Sequence, residues 1–530
     1  MRLAGVAAEA DLARVALLTD HTSYADALCE FVPARLWELF DGDRYRLNIA
    51  HECIDRYSAD PGRTAIRIAH ADGHDEAIAF RTIAEQSSRY AHWLSEMGVA
   101  HGDRVAIMLE PSLAFYAALF GTMKLGAIAV PLFTLFGPDG VRLRLDDCSP
   151  RLLLTTSDKV QSLGALSIPT IAQDDTFAAA LSQYPTAFVP ATRCDDLAIY
   201  QYTSGTTREL PAAIRHTHRA IVVVMIAALY GTGIRPGDRF FCPSSPAWGH
   251  GLWHGTLAPL ALGVETGVYA GRFDAERLLR ALQDFGTTNL SAAATHYRMM
   301  RMSGAASRYR YAVRKMSFTG EPIDSDSQAF AEHTFGTRLC SMYGTTEVGV
   351  ILASYPGAGD FAGRPGALGM PVPGVKAEVQ RPDGSACATG EIGEIKVWRH
   401  GVWFPTKDRG WIDADGFYFH AGRADDVIIS AGWTMSSTEI EGVMLRHPAV
   451  REAAAIGVPD VQRGQVVKAF VVTDQPPDDA LAGDIQNFVR ARLSQHEFPR
   501  IIAFVAELPK TPAGKVNRKA LREREQQEPA

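Results

Sequence analysis

The chain has 530 residues, of which 47% are hydrophobic and 21% are charged, and its formal net charge is −7. This length exceeds what one hydrophobic core normally serves, so we expect at least two domains. The acidic balance argues against a general nucleic-acid binder, which carries a basic face. The seven scattered cysteines form no C-x-x-C pair and favour a reducing compartment over a disulfide framework.

Export and membrane signals are not evident in the sequence. Residues 1–14 lack the basic segment and the long apolar stretch of a secretory signal. The longest apolar run, residues 220–230, is far shorter than the ~20 residues that a membrane-spanning helix needs. We therefore predict a cytoplasmic protein without a membrane span.

Strand and helix patterns alternate along much of the chain. Short apolar runs predict strands and a longer one predicts a helix, with strands at 105–108, 127–132 and 152–154 and a helix at 113–125. The same alternation of strand and helix patterns recurs between residues 238 and 339. Such alternation is typical of βαβ units and a largely parallel sheet.

The character of the sequence changes after Gly363. Glycine, proline and short alternating runs such as residues 394–398 predict a small β-rich subdomain at 363–424. We therefore expect an α/β fold with a large N-terminal domain at 1–424.

The end of the chain predicts a second, smaller α/β domain at 425–530. Residues 466–472 form a strongly β-branched run and residues 480–493 read as a helix. The segment 518–530 is rich in charge, and we expect it to be a solvated tail.

A loop of small hydroxyl residues points to phosphate chemistry: Thr203-Ser204-Gly205-Thr206-Thr207. It follows a predicted strand end at Tyr202 and precedes the apolar helix at 220–230. Consecutive backbone N–H groups in such a loop can turn toward an anion. Surface turns use the same residues, and no dinucleotide or Walker fingerprint is present, so the loop alone is weak evidence.

Four further segments, in this order and at these separations, turn the loop from weak evidence into part of a specific pattern. They are Tyr343-Gly344-Thr345-Thr346-Glu347, Thr406-Lys407-Asp408, Gly422-Arg423-Ala424-Asp425-Asp426 and Lys510-Thr511-Pro512-Ala513-Gly514-Lys515. With them, residues 45–520 resemble the adenylate-forming superfamily of acyl-CoA synthetases, carrier-protein-loading adenylation domains and luciferases. Residues 320–322 and 464–470 make the chain most similar to medium-chain acyl-CoA and benzoate-CoA ligases.

The resemblance implies a reaction in two steps. A carboxylate attacks the α-phosphate of ATP to give an acyl-adenylate and pyrophosphate, and a thiol, usually that of coenzyme A, then displaces AMP. In such chemistry the protein mainly positions the reactants and stabilises negative charge. Resemblance also implies that the C-terminal domain is mobile and rotates about a hinge at Asp425.

The same resemblance assigns roles to individual residues. The loop 203–207, with Arg208, holds phosphates; Glu347 holds Mg²⁺, whose preferred ligands are hard oxygens; and Thr346 contacts the α-phosphate. The remaining nucleotide contacts are assigned to Gly320, Glu321, Pro322 and Tyr343 around adenine and to Asp408 and Arg423 around the ribose. Lys515 becomes the cation that bridges the substrate carboxylate and the α-phosphate. Each of three residues also has a purely structural interpretation: Glu347 as a glutamate at the start of a helix, Asp408 as an aspartate in a turn and Lys515 as a solvated surface lysine.

Two positions bear on the size of the carboxylic acid that the resemblance implies as substrate. Trp248 lies where relatives line the acyl pocket, and Gly344 lies where acetate-specific relatives carry a bulky aromatic residue. We therefore predict an acid larger than acetate, either medium-chain or aromatic. His250 and His254 have the i, i+4 spacing of metal ligands, but with glycines between them and no nearby carboxylate we interpret them as satisfied or pocket-lining residues.

The chain departs from the resemblance after the loop. Relatives continue with glycine and then a Pro-Lys pair, whereas this chain has Arg208 and no such lysine. Either Arg208 or Arg215 could restore the charge, although a guanidinium differs from an ammonium in reach and geometry. Lys407 stands where the ribose motif expects glycine.

Three functions remain open. The first is a ligase that uses ATP, Mg²⁺ and coenzyme A, the second an adenylation enzyme that loads a separate carrier protein, and the third a catalytically impaired nucleotide- or acyl-binding homologue. The predicted partners are a small carboxylic acid, ATP and the thiol, and a homodimer is left open.

Overall fold

The computed structural model describes residues 17–202, 213–320, 322–345, 348–423, 427–430, 433–460, 464–493, 498–511 and 515–527. The strands are β1 (Thr64–His70), β2 (Asp75–Ala79), β3 (Arg104–Met108), β4 (Ile128–Pro131), β5 (Leu152–Thr155), β6 (Thr170–Ala172), β7 (Leu197–Gln201), β8 (Ile214–Thr217), β9 (Arg239–Phe241), β10 (Glu265–Ala270), β11 (Asn289–Ala293), β12 (Lys315–Thr319), β13 (Leu339–Thr345), β14 (Gly349–Ala353), β15 (Ala367–Pro371), β16 (Ala377–Gln380), β17 (Gly393–Arg399), β18 (Val402–Ile412), β19 (Tyr418–Arg423), β20 (Val427–Ser430), β21 (Trp433–Ser436), β22 (Glu452–Asp460), β23 (Gly464–Val472) and β24 (Ile501–Phe504).

The α-helices are α1 (Tyr24–Cys29), α2 (Ile49–Cys53), α3 (Phe80–Glu96), α4 (Leu113–Leu125), α5 (Pro138–Cys148), α6 (Ser157–Leu163), α7 (Asp175–Leu181), α8 (Ala220–Ile226), α9 (Ala258–Ala261), α10 (Ala275–Asp284), α11 (Ala294–Ser303), α12 (Ser325–Phe335), α13 (Ser437–Met444), α14 (Asp479–Arg492) and α15 (Arg518–Gln527). Two π-helical segments, Ala227–Gly231 and His250–Leu257, continue α8 and precede α9. None of the described helices is long and apolar enough to cross a membrane.

Two sheets build the larger part of the molecule. One has the strand order β6-β5-β3-β4-β7-β8 and is parallel except for the last pair. Alternate residues of its strands face two different cores, as the two-residue period of a strand requires: Val105 and Ile107 lie in one and Ala106 and Met108 in the other. Burial on both faces explains why these strands are apolar throughout.

The second sheet joins a parallel half to an antiparallel half, in the order β16-β17-β18-β19-β15-β14-β13-β12-β11-β9-β10-β1-β2. Strands β13, β12, β11, β9, β10 and β1 run parallel, and from β13 to β16 the neighbours are antiparallel. The predicted β-rich segment is therefore an extension of the parallel sheet.

The C-terminal part contains a sheet with the order β22-β23-β24. Helices α13 and α14 pack on one face of it. Leu521 of α15 is buried on the other face, and Arg518 and Lys468 form ion pairs with Glu441 and Glu525. The predicted α/β fold is confirmed, but the expected solvated tail is wrong, because residues 518–527 form a helix whose apolar residue completes this core.

Two local predictions also need correction. The apolar helix at 220–230 is present, but its second half is π-helical from Ala227. The predicted turn at 406–408 lies inside the long strand β18, where the register with β19 shifts between Asp408 and Gly410. A bulge of this kind re-aims side chains near functional sites.

Candidate active site

A cavity of about 1950 Å³ lies at the carboxyl ends of the parallel strands. Its lining includes residues that follow β9, β11, β12 and β13, together with β18 and residues from the C-terminal part. Ligands of α/β sheets bind at this edge because the loops and helix N-termini converge there. Seven predicted site residues line it: Trp248, Gly320, Pro322, Tyr343, Gly344, Asp408 and Lys515.

Asp408 is held by three neighbours. Its side chain is buried, with 8% of its surface exposed, and the Tyr343 hydroxyl donates a hydrogen bond of 2.7 Å to Oδ2. Nε2 of His420 lies 3.6 Å from Oδ1, and the Asp408 amide donates to the hydroxyl of Thr406 at 3.1 Å. A buried carboxylate oriented in this way can accept hydrogen bonds from sugar hydroxyls.

Lys407, immediately before Asp408 on β18, has an unusual backbone conformation. Its φ is +64°, in the left-handed region that favours glycine, and this is the position where the resemblance expects glycine. The backbone thus keeps a glycine-like conformation with a lysine in place, at an energetic cost of roughly 1 kcal/mol.

Lys515 lies beside Gly320. A Cβ placed on Gly320 would lie 3.8 Å from Cε and 4.0 Å from Nζ of Lys515, and Gly320 has a φ of +97°. The Thr511 amide donates to the Lys515 carbonyl at 2.7 Å, and Lys510 pairs with Val516 in an isolated bridge. These contacts bring an ammonium from the C-terminal part to the end of β12.

The cavity also contains buried hydroxyls that the sequence did not single out. Oγ1 of Thr345 and Oγ1 of Thr511 are buried without a hydrogen-bond partner, and both residues line the cavity. Buried polar atoms are nearly always paired in folded proteins, so these hydroxyls suit a polar ligand such as a nucleotide. Both residues lie within the motifs given above, but the resemblance assigns no role to either hydroxyl.

Gly344 is fixed by its neighbouring strand. A Cβ there would lie 2.1 Å from the Gly349 carbonyl oxygen and 2.7 Å from Cα of Val350, because β13 and β14 approach closely where their register shifts. A larger residue requires the backbone to move. Trp248, which also lines the cavity, stacks on Phe133 with ring centroids 6.3 Å apart.

His250 is fully hydrogen-bonded. Its Nδ1 and Nε2 each lie 2.9 Å from a serine hydroxyl, those of Ser244 and Ser291. Burial lowers the pKa of His250 well below its ordinary value, so the ring is neutral. The interpretation of His250 as a satisfied residue agrees with these contacts, and no cluster suited to a metal ion occurs within the described residues.

His218 is buried and His254 and His216 are half-buried, and removal from solvent lowers the pKa of each to about 4. His254 and His216 line the cavity. His218 instead accepts a hydrogen bond at Nδ1 from the Ile49 amide at the start of α2, at 3.1 Å. His218 therefore accepts a hydrogen bond from the first residue of a helix.

Several predicted site residues fall outside the part of the chain that the structure describes. They are Thr203, Ser204, Gly205, Thr206, Thr207, Arg208, Glu321, Thr346, Glu347 and Asp425. Of Arg423 only the backbone is described, and it pairs with Asp408 across β18 and β19.

Arg215 lies on β8, opposite Tyr200 of β7. Its guanidinium carbon is 5.2 Å from the centre of the Tyr200 ring. The next residue, His216, lines the cavity, and successive side chains of a strand point to opposite faces. Arg215 is thus engaged on the face of the sheet away from the cavity.

Comparison with protein families agrees with this geometry. The sequence profile of the AMP-binding enzyme family matches residues 55–403, and that of the AMP-binding enzyme C-terminal domain matches residues 439–515. The chain therefore belongs to the AMP-binding enzyme family, within the adenylate-forming superfamily, which confirms the resemblance inferred from its motifs.

Individual relatives indicate which type of AMP-binding enzyme the chain is. The chain is 28% identical to an acetyl-coenzyme A synthetase of Bacillus subtilis over 90% of both chains. Among solved structures it resembles an acyl-CoA synthetase of Brucella canis (30% identity, TM-score 0.74, 96% of this chain and 100% of that one). It also resembles a benzoate CoA ligase of Burkholderia xenovorans LB400 (26% identity, TM-score 0.78, 90% of this chain and 100% of that one). The protein is accordingly an AMP-forming acid–thiol ligase.

Proposed function

We propose that this enzyme activates a carboxylic acid larger than acetate, medium-chain or aromatic, as an acyl-adenylate and then transfers the acyl group to coenzyme A. The observation that carries the proposal is the placement of Lys515 beside Gly320 in the cavity that also contains Asp408. A nucleotide ribose at Asp408 would leave its α-phosphate within the same space as the ammonium.

In the first step, a carboxylate oxygen of the acid attacks the α-phosphorus of ATP. The bond between the α-phosphorus and the bridging oxygen breaks, and pyrophosphate leaves. Negative charge is shared among the carboxylate and the phosphate oxygens, and a cation positioned between them stabilises it. Lys515 supplies this cation, because a flexible ammonium can be brought to the site and withdrawn.

We assign the phosphate end of ATP to residues 203–207, Arg208 and Thr346, and the adenine and ribose to Gly320, Glu321, Pro322, Tyr343, Asp408 and Arg423. Glu347 would hold Mg²⁺, which would neutralise phosphate charge. Support comes from the described members of this set, which lie together, and from the unpaired hydroxyl of Thr345 immediately before Thr346.

In the second step, the thiol sulfur attacks the acyl carbon, the carbon–oxygen bond to AMP breaks and the thiol proton passes to solvent. Because Lys515 occupies the place where the thiol must enter, we propose that the domain at 425–530 rotates against the domain at 1–424 about Asp425. Asp425→Pro should then slow thioester formation from preformed acyl-adenylate while pyrophosphate release continues. Equal slowing of both steps would contradict a hinge at this residue.

The size of the acid follows from Gly344 and the cavity. A residue without a side chain at position 344 leaves the acyl region open, and the backbone contact with β14 excludes a bulky side chain there. Since an acetyl-coenzyme A synthetase and a benzoate CoA ligase are similarly related to this chain, relatedness alone does not choose the acid.

One screen tests the proposal. The enzyme is incubated with ATP, Mg²⁺ and acids of graded length and aromaticity, and mass spectrometry follows acyl-AMP and acyl-CoA. We expect acyl-AMP from medium-chain or aromatic acids, and acyl-CoA when coenzyme A is added. If only acetate is turned over, the proposed substrate class is refuted. If the acyl group is transferred only to a phosphopantetheinyl carrier protein, then the carrier and not coenzyme A is the thiol acceptor. If no acid gives an adenylate, the protein is an impaired homologue. Cytoplasmic location and a homodimer stay as predictions of the sequence.

A further inference from the structure

The acyl side of the cavity contains an imidazole without a partner. His254 lies on the π-helix His250–Leu257, shortly after Trp248, and lines the cavity. Its Nδ1 is buried without a hydrogen bond, and among the residues that the structure describes none bonds to Nε2. Leaving a buried polar group unpaired destabilises the fold, so this ring is suited to a partner that a ligand brings.

A second unpaired nitrogen lies in the same cavity. Nε2 of His216 is buried without a hydrogen-bond partner, and its ring centroid is 4.8 Å from that of Trp253, the residue before His254. Two imidazoles on different elements, β8 and the π-helix, therefore both present unsatisfied nitrogen atoms beside the cavity.

The neighbouring His250 shows which partner such a ring takes here. Both of its nitrogen atoms are satisfied by hydroxyl groups, those of Ser244 and Ser291, at 2.9 Å. A hydroxyl can donate to one nitrogen and accept from another. His250 is thus complete without a ligand, whereas His254, one helical turn further on, is not.

The charge state of His254 and His216 limits which chemical group of a ligand they can bind. Because burial lowers the pKa of His254 and of His216 to about 4, both rings are neutral near pH 7. A neutral imidazole offers one donor and one acceptor, which matches a hydroxyl. A second carboxylate would instead have to be desolvated without a cation from these rings.

We propose that His254, together with His216, recognises a hydroxyl group on the acyl part of the substrate, so that the enzyme selects hydroxy acids over acids with the same carbon skeleton. This inference rests on the proposed function and adds a specificity determinant to it. Val224 of α8 and Ala227 of the π-helical segment that continues it line the same cavity and pack beside the carbon skeleton, while the imidazoles bind its polar substituent.

The test compares matched acids with wild-type enzyme and variants, using kcat/KM for acyl-AMP formation. The pairs are hexanoate with 6-hydroxyhexanoate and benzoate with its 3- and 4-hydroxy derivatives, and adipate serves as a dicarboxylate. We expect about tenfold or greater preference for a hydroxy acid. His254→Leu should abolish the preference by slowing only the hydroxy acid, and His254→Gln, which keeps hydrogen-bonding groups, should restore part of it. His333→Leu, on the exposed surface of α12, is the matched control and should preserve the preference.

Each outcome separates the two proposals. Adenylation of unsubstituted acids at equal or higher efficiency than their hydroxy partners overturns the role of His254 and leaves the ligase function intact. Preference for adipate also overturns it, because it indicates recognition of charge. No adenylate from any acid overturns both. If His254→Leu does not fold, as judged by thermal melting, two other variants decide: the preference should be partly retained in His254→Gln and lost in His216→Leu, and an unchanged preference in His216→Leu overturns the proposal.

Discussion

The hydroxyl of Tyr343 donates a 2.7 Å hydrogen bond to Oδ2 of Asp408 across 65 residues of sequence. Tyr343 ends the parallel half of the large sheet on β13, and Asp408 lies at the bulge of β18 in the antiparallel half. The bond therefore joins the two halves of the sheet beside the cavity that both residues line. It fixes one oxygen of the buried carboxylate.

Removing this hydroxyl should weaken ATP binding. Tyr343→Phe leaves a buried carboxylate without one of its donors, and we expect the KM for ATP to rise about tenfold with a small change in kcat. Asp408→Asn should raise it further. Tyr57→Phe is the matched control, since its hydroxyl donates to the Ala261 carbonyl at 2.7 Å and contacts no residue of the site. An unchanged KM in Tyr343→Phe would contradict the assigned role of the bond.

Lys515→Ala should separate the two half-reactions. Loss of the cation should reduce acyl-AMP formation by about 10² or more, measured as exchange of labelled pyrophosphate into ATP. Thioester formation from synthetic acyl-AMP should persist, because the second step does not require the lysine. Lys519→Ala removes a neighbouring ammonium that pairs with Glu523 at 3.7 Å and should leave the exchange rate near wild type. Full exchange activity in Lys515→Ala would refute the assignment.

The sequence predicted the architecture because each strand and helix carries its own periodicity. The strands at 105–108 and 152–154 and the helix at 113–125 lie within one or two residues of β3, β5 and α4. The tail was predicted wrongly for the opposite reason. Six of the ten residues 518–527 are charged, and the burial of Leu521 depends on a core formed by β22 and β23, which no local pattern reveals.

The candidate site was predictable where a residue lies in a motif and not where a contact crosses the chain. Asp408 and Lys515 came from ordered motifs, but the partners of His250 lie far apart in sequence, Ser244 after β9 and Ser291 within β11. Thr511 lies within the last motif, but its unpaired hydroxyl is evident only from the structure. The left-handed backbone of Lys407 likewise shows that a motif can keep its geometry after losing the glycine that normally provides it.

The two arginines that follow residues 203–207, the proposed phosphate loop, should differ in their effects. Arg215 lies over the Tyr200 ring, on the face of β8 opposite His216, whereas Arg208 follows the loop directly in sequence. We expect Arg208→Ala to raise the KM for ATP selectively, by about tenfold or more, and Arg215→Ala to serve as its matched control. Steady-state kinetics with varied ATP distinguishes them, and the reverse pattern would show that Arg215 replaces the missing lysine.

Gly344 should be intolerant of any side chain. In Gly344→Ala the new Cβ would lie 2.1 Å from the Gly349 carbonyl oxygen, so β13 and β14 must separate at a cost of about 1–3 kcal/mol. A lower melting temperature should accompany reduced activity. Gly359→Ala is the control, because nothing lies within 4 Å of its added Cβ, and its stability should change by less than about 0.5 kcal/mol. A Gly344→Ala variant as stable as wild type would refute the close approach.

Acidification should destabilise the protein through its buried histidines. Burial lowers the pKa of His254 and of His296 to about 4, while the unfolded chain binds protons near the ordinary value of about 6.5. Between these values the unfolded state holds more protons, so stability is fully present above pH 6.5 and is lost as pH falls toward 4. Each such group contributes a slope of about 1.4 kcal/mol per pH unit in that window. Denaturant titrations of His254→Leu at several pH values should show a slope shallower by about this amount, whereas Leu252→Val, fully buried on the same π-helix, should lose stability equally at every pH. Parallel curves for wild type and His254→Leu would show that this imidazole is protonated alike in both states.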